Sequence, residues 1–112
     1  MNIFDDIANA SHHLGEVIAD LDQIRLDPAT PGAERTRIML VLPRLRTRRR
    51  ELDAEFDALV ARAQAMPPPP DAIVASIHEA TVALARRVTS AAEATVALTL
   101  ALAVVTEARR LV

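Results

Sequence analysis

The chain has 112 residues, half of them apolar, a net charge of −2, and no Cys, Trp or Tyr. That length allows one domain with a modest core, and the missing cysteines exclude disulfides, thiolate metal sites and cysteine nucleophiles. All 13 positive charges are Arg, which excludes Schiff-base lysines and the lysine of a phosphate-binding loop.

The Arg-for-Lys usage reads as the codon bias of a GC-rich genome and points to a bacterial or phage source. Two Phe are the only aromatics, so the stacking platforms of single-strand nucleic-acid binders are missing. The core has to be built from Leu, Ile, Val, Ala and Met, a palette suited to helix-on-helix packing. The start, Met-Asn-Ile-Phe-Asp-Asp, lacks the basic region and apolar run of a signal peptide, and a cytoplasmic location is expected.

Two proline clusters divide the chain: Asp27-Pro28-Ala29-Thr30-Pro31-Gly32 and Pro67-Pro68-Pro69-Pro70. Proline lacks an N–H and disfavours a helical residue before it. Four prolines in a row predict a stiff spacer of ~12 Å.

The first predicted helix covers about residues 2–26. Ile3, Ile7, Ala10, Leu14, Val17, Leu21 and Ile24 follow a 4-3 spacing, which is one apolar helical face. Asp5 and Asp6 fall in its first turn, where the helix dipole favours acids. Gly15 costs ~1 kcal/mol relative to Ala in mid-helix and marks a close crossing or a local weakness.

The second predicted helix covers about residues 33–66. Ile38, Leu42, Leu45, Arg49, Leu52, Phe56, Leu59, Ala63 and Met66 keep the 4-3 register through Pro43. That favours one kinked helix over two separate ones.

The third predicted helix covers about residues 71–112, beyond the Pro67–Pro70 linker. It has no Gly or Pro, and as a single helix it would be ~63 Å long. Val74, Ile77, Thr81, Leu84, Val88, Ala91, Thr95, Leu98, Leu102, Val105, Arg109 and Val112 keep a 3-4 spacing. From Val96 onward Val96, Leu100, Val104 and Leu111 add a second apolar side, which calls for partners on more than one side. Ser90-x-x-Glu93 has the form of a capping box, so a break there is the alternative. The same pattern at Ser76-x-x-Glu79 falls where no break is expected, and continuity is the favoured reading.

The expected fold class is therefore all-α, a single domain over residues 1–112. It has three long helices, a helical hairpin plus a long C-terminal helix, in a bundle completed by oligomerisation. The alternative is a monomeric four-helix bundle with a break near Ser90. The expected interface residues are Val96, Leu98, Leu100, Leu102, Val104, Val105 and Leu111. Small residues along the same helix (Ala80, Ala83, Ala91, Ala94, Ala101, Ala108) permit close helix approach.

Charge is uneven along the chain. Residues 1–33 carry six acids against one Arg, and residues 34–66 carry eight Arg against five acids. Arg44, Arg46, Arg48 and Arg50 are candidates for a nucleic acid or an acidic partner, because guanidinium groups bind phosphate and carboxylate oxygens. Against this, Glu51, Asp53, Glu55 and Asp57 follow within helical pairing distance. Arg49 falls on the apolar face, either buried against an acid or extending its charged end outward.

His12, Glu16 and Asp20 form a helical ladder of metal-ligand types, but no second ladder accompanies it, and a solvated face explains it as well. No metal and no cofactor is expected. The serines lack a nucleophile elbow, and two glycines make no phosphate loop, so no catalytic residue is named and no enzyme activity is expected. The run Ala94–Thr106 is uncharged for 13 residues, short of the ~20 that a spanning helix needs, so no membrane span is expected. The function expected is a non-enzymatic helical assembly, adaptor or regulatory protein. Its partner is itself, as a homodimer or higher oligomer, with another protein or nucleic acid as alternatives.

Overall fold

Four helices make up the computed structural model, which describes residues 2–111. They are α1 (Ile3–Leu26), α2 (Gly32–Arg62), α3 (Asp71–Leu84) and α4 (Ala91–Arg109). There is no strand among the described residues. The fold is all-α, and the four-helix arrangement with a break near Ser90 fits it. The single helix expected over residues 71–112 is corrected: it divides at residues 85–90.

α1 follows its apolar spacing closely. Asn2 Oδ1 caps it by accepting from the Phe4 N–H at 2.9 Å. Ile3, Ile7, Ala10, Leu14, Val17 and Leu21 are all buried, and Ile24 packs beside them. The following prolines cannot supply N–H groups to its last carbonyls. The Thr30 hydroxyl donates to Ile24 O at 2.6 Å instead, and the Arg35 guanidinium donates to Asp27 O and Pro28 O at 3.1 and 3.0 Å.

α2 runs 31 residues through Pro43, roughly 46 Å at 1.5 Å per residue. Ile38, Leu42, Leu45, Leu52 and Leu59 are buried. Its end comes at Arg62, not near Met66. The carbonyls of residues 63–66 would each need the N–H four residues on, and those positions are Pro67–Pro70. The last such bond runs from Met66 N–H to Arg62 O at 3.0 Å.

Cross-links set the direction of each helix. Ser11 Oγ donates to Asp53 at 2.6 Å and Arg46 reaches Asp22 at 3.6 Å, so α2 returns antiparallel to α1. Asp6 pairs with His78 while Asp20 accepts from Val88 N–H, so α3 runs parallel to α1. Glu34 meets Ala91 and Glu55 meets Arg109, so α4 runs parallel to α2. α1 and α4 each touch both α2 and α3, and they touch each other, while α2 and α3 stay apart. Residues 63–70 therefore cross the diagonal of the bundle. With helices 8–10 Å apart and α1 against α4 that diagonal is about 15 Å, of which a tetraproline of ~12 Å covers most.

The divide at residues 85–90 is held by carboxylates. Asp20 of α1 accepts from Val88 N–H at 3.2 Å, and Glu34 of α2 accepts from Ala91 N–H at 2.7 Å. Glu93 accepts from Thr89 N–H at 2.9 Å and Ser90 Oγ from Glu93 N–H at 3.2 Å. Val88 is buried between them. The N–H groups of Val88, Thr89, Ala91 and Glu93 are thereby satisfied, and α4 folds back antiparallel on α3.

Beyond the divide Ala91, Leu98 and Val105 of the predicted stripe are buried, while its alternate members move by one residue. The predicted stripe used Thr95, Leu102 and Arg109, all of them exposed in α4. The observed core face uses Ala91, Ala94, Leu98, Ala101, Val105 and Ala108. Small side chains let α4 sit close to three other helices, so the single chain buries Leu98, Val104 and Val105 of the expected interface. Val112, the last residue of the predicted stripe, lies outside the described residues.

Candidate interaction surface

The seven residues expected at an interface are separated by this register. Leu98, Val104 and Val105 are in the core of the single chain. Leu100 and Leu111 are partly buried against it. Val96 and Leu102 remain outside, 60% and 42% exposed. On α3, Val82 is exposed as well, a residue the spacing argument passed over because it lies off the predicted stripe.

Between residues 94 and 106 the outward side of α4 is Thr95, Val96, Thr99, Leu102, Ala103 and Thr106, without a charge. The threonine hydroxyls at 95 and 99 are turned back onto their own helix, donating to Ala91 O at 3.1 Å and Thr95 O at 3.2 Å. Their polar groups are satisfied, so covering Thr95 and Thr99 strands no donor at those two positions. A shallow groove between α3 and α4 passes Ala80, Leu100, Leu102 and Ala103 and ends at Glu79 and Glu107. A second depression continues past Leu100 and Val96 to Arg86 and Arg87.

The Arg run is split by internal pairing. Arg46 reaches Asp22 of α1 at 3.6 Å, and Arg48 donates to both oxygens of Glu51 at 2.7 and 2.8 Å. Arg50 donates to the Thr47 hydroxyl at 3.2 Å. Arg44 faces the groove between α2 and α4, near Arg37 and Leu40. Arg49 is exposed, and its guanidinium lies over Gly15: a Cβ there would stand 2.7 Å from Arg49 Cζ. The glycine marks a close approach, and Arg49 carries its charge outward past it.

The acids after the Arg run mostly serve other helices. Asp53 accepts from Ser11 and Glu55 from Arg109 Nε at 2.8 Å. The Glu55 hydrogen bond, with the nearby Glu51 charge, pushes the Arg109 pKa further above its ordinary value, so Arg109 is a fixed cation tying the end of α4 to α2.

The His12–Glu16–Asp20 ladder does not converge. Glu16 meets His12 at 3.1 Å and His13 at 3.3 Å, while Asp20 is turned to the Val88 N–H. Among the described residues no three His, Asp or Glu side chains are grouped to hold a metal ion. Asp6, which lies off the predicted apolar stripe, is buried beside the core and accepts from His78 Nδ1 at 3.1 Å. Its place three residues after Ile3 was the available signal, because that sets it on the inward side of α1.

By length and composition α4 is the one helix among the described residues able to cross a membrane, and its Ala-rich side is buried in the bundle. Comparison with known proteins finds no matching family model, no matching curated protein and no matching solved structure.

Proposed function

We propose that the chain is a non-enzymatic assembly protein that acts through protein–protein contact, with a second copy of itself docked on the outer face of α3 and α4. The observation that carries this reading is the uncharged outward side of α4 between residues 94 and 106. Its threonine hydroxyls at 95 and 99 are already satisfied. A helix that belongs only to a monomer usually sets charged residues on its outer side, as α2 does here with Arg44, Arg46 and Arg50. A nucleic-acid role is less well supported, because two of its four candidate arginines are already paired with Asp22 and Glu51.

Light scattering across a micromolar concentration series tests the reading. A dimer or larger species is expected, and Leu102→Glu should return it to monomer with unchanged helical content. A monomer at every concentration overturns it, as does a Leu102→Glu variant with the mass of the parent. Leu102 is the position to use because Leu98 is in the core, where a buried carboxylate would unfold the chain.

A further inference from the structure

Resting on that reading, the geometry points to one arrangement of the two copies: an antiparallel two-fold that stacks α4 on α4 about Thr99. The spacing of the exposed residues permits it, and the charge at the two ends selects it.

The first is the spacing of the exposed positions. Ala92, Thr95, Val96, Thr99, Leu102, Ala103 and Thr106 are symmetric about Thr99, as helical spacing makes any such stripe, while exposed Glu93 has the buried Val105 as its counterpart. A two-fold axis lying in the interface beside Thr99 opposes Val96 with the partner's Leu102 and Thr95 with the partner's Ala103. The two large side chains meet, and small residues meet on both flanks. That is the self-complementarity that an isologous contact requires.

The second is charge. One end of the surface is acidic, with Glu79 and Glu107 lining the groove. The other end carries Arg86 and Arg87 beside Val96, and the Glu93 carboxylate there is turned onto the Thr89 N–H and hydroxyl. Arg86, Arg87 and Glu79 form no ion pair among the described residues, and Glu107 has only Arg110 at 3.5 Å. The antiparallel two-fold sets Glu79 and Glu107 of each copy toward the partner's Arg86 and the partner's Arg87. The other face-to-face two-fold, with α4 over α3, sets the acidic ends together. Like charges at a contact are unfavourable and opposite charges fix its register, so the antiparallel stacking is the one selected.

Because the chain has no Cys, single cysteines read the arrangement directly. Thr99→Cys lies at the axis and should form an intermolecular disulfide rapidly, since the Cα atoms there fall within the ~7 Å a disulfide allows. Ala92→Cys lies seven residues from the axis, so the two copies are ~21 Å apart along the helix, and it should cross-link at least roughly tenfold more slowly. A second pair of variants tests the charges. Arg86→Glu with Arg87→Glu, and separately Glu79→Arg with Glu107→Arg, should each weaken self-association by roughly tenfold. Mixing the two should restore it as a heterodimer. A dimer in which Ala92→Cys cross-links as fast as Thr99→Cys, or in which mixing restores nothing, overturns the arrangement and leaves the surface itself standing. A wild-type chain that is monomeric throughout removes both.

Discussion

α2 contains a proline and stays helical for 31 residues, whereas residues 71–112 contain neither proline nor glycine and divide at residues 85–90. The difference lies in where each backbone disruption sits. Pro43 is exposed, and the carbonyl it leaves without a donor belongs to Met39, itself 61% exposed. Water can take that bond, while Leu42 and Leu45 hold the helix to the core on the other side. At residues 85–90 the opposite holds. The freed N–H groups of Val88 and Ala91 find carboxylates from α1 and α2, and a buried Val88 fixes the turn. A helix yields where its neighbours offer something better than the next turn, and continues through a bad residue where they do not.

Pro43→Ala should have the largest effect: a regained Met39–residue 43 bond and a better helix former should stabilise the chain by up to ~3 kcal/mol. The midpoint of urea unfolding measures it, and a lowered midpoint would mean that the proline is required by the packing. Glu34→Ala should destabilise by about 1.5–3 kcal/mol, the range for a hydrogen bond to a charged group, because Ala91 N–H loses its acceptor. A neutral result in the same assay would show that Ser90 and Glu93 hold the turn unaided.

The two Ser-x-x-Glu patterns offer a finer test. Ser90→Ala removes a working cap and should cost ~1 kcal/mol. Ser76→Ala, at an exposed site inside α3, should gain a few tenths of a kcal/mol from helix propensity. Thermal melts of the two variants should therefore move in opposite directions; movement together would mean that Ser90 does not act as a cap. Gly15→Ala should have a small effect of positive sign. The added methyl meets only the flexible end of Arg49, so most of the ~1 kcal/mol helix-propensity gain should survive. A lowered melting temperature would show that the Arg49 position over Gly15 matters to the α1–α2 crossing.

The identical Ser-x-x-Glu patterns also show how far the sequence could be read. Ser76 and Ser90 are indistinguishable locally. What separates them is Asp20 and Glu34, 68 and 57 residues from their partners. No spacing rule reaches that far. The interface residues show the same limit. Val96 and Leu102 were legible as surplus apolar residues, but Leu98, Val104 and Val105 could be assigned to an inner or an outer side only once the phase of α4 was known. A turn of one residue in that phase would replace Ala94 and Ala101 in the core by Thr95 and Leu102.

What the sequence determined by itself is the set of helix faces and ends whose causes are local. The 4-3 spacing of α1 placed its core, and the absent N–H groups of Pro67–Pro70 ended α2. Four consecutive prolines supplied a spacer that covers most of the bundle diagonal. The tertiary structure decided the rest: the break at residues 85–90, the register of α4 and the ion pairs that divide the Arg run. The physical reason is range. Periodicity and proline sterics act within a turn or two of the chain, while a carboxylate that accepts a freed N–H, or a neighbour that admits only alanine, is brought there by the packing of other helices.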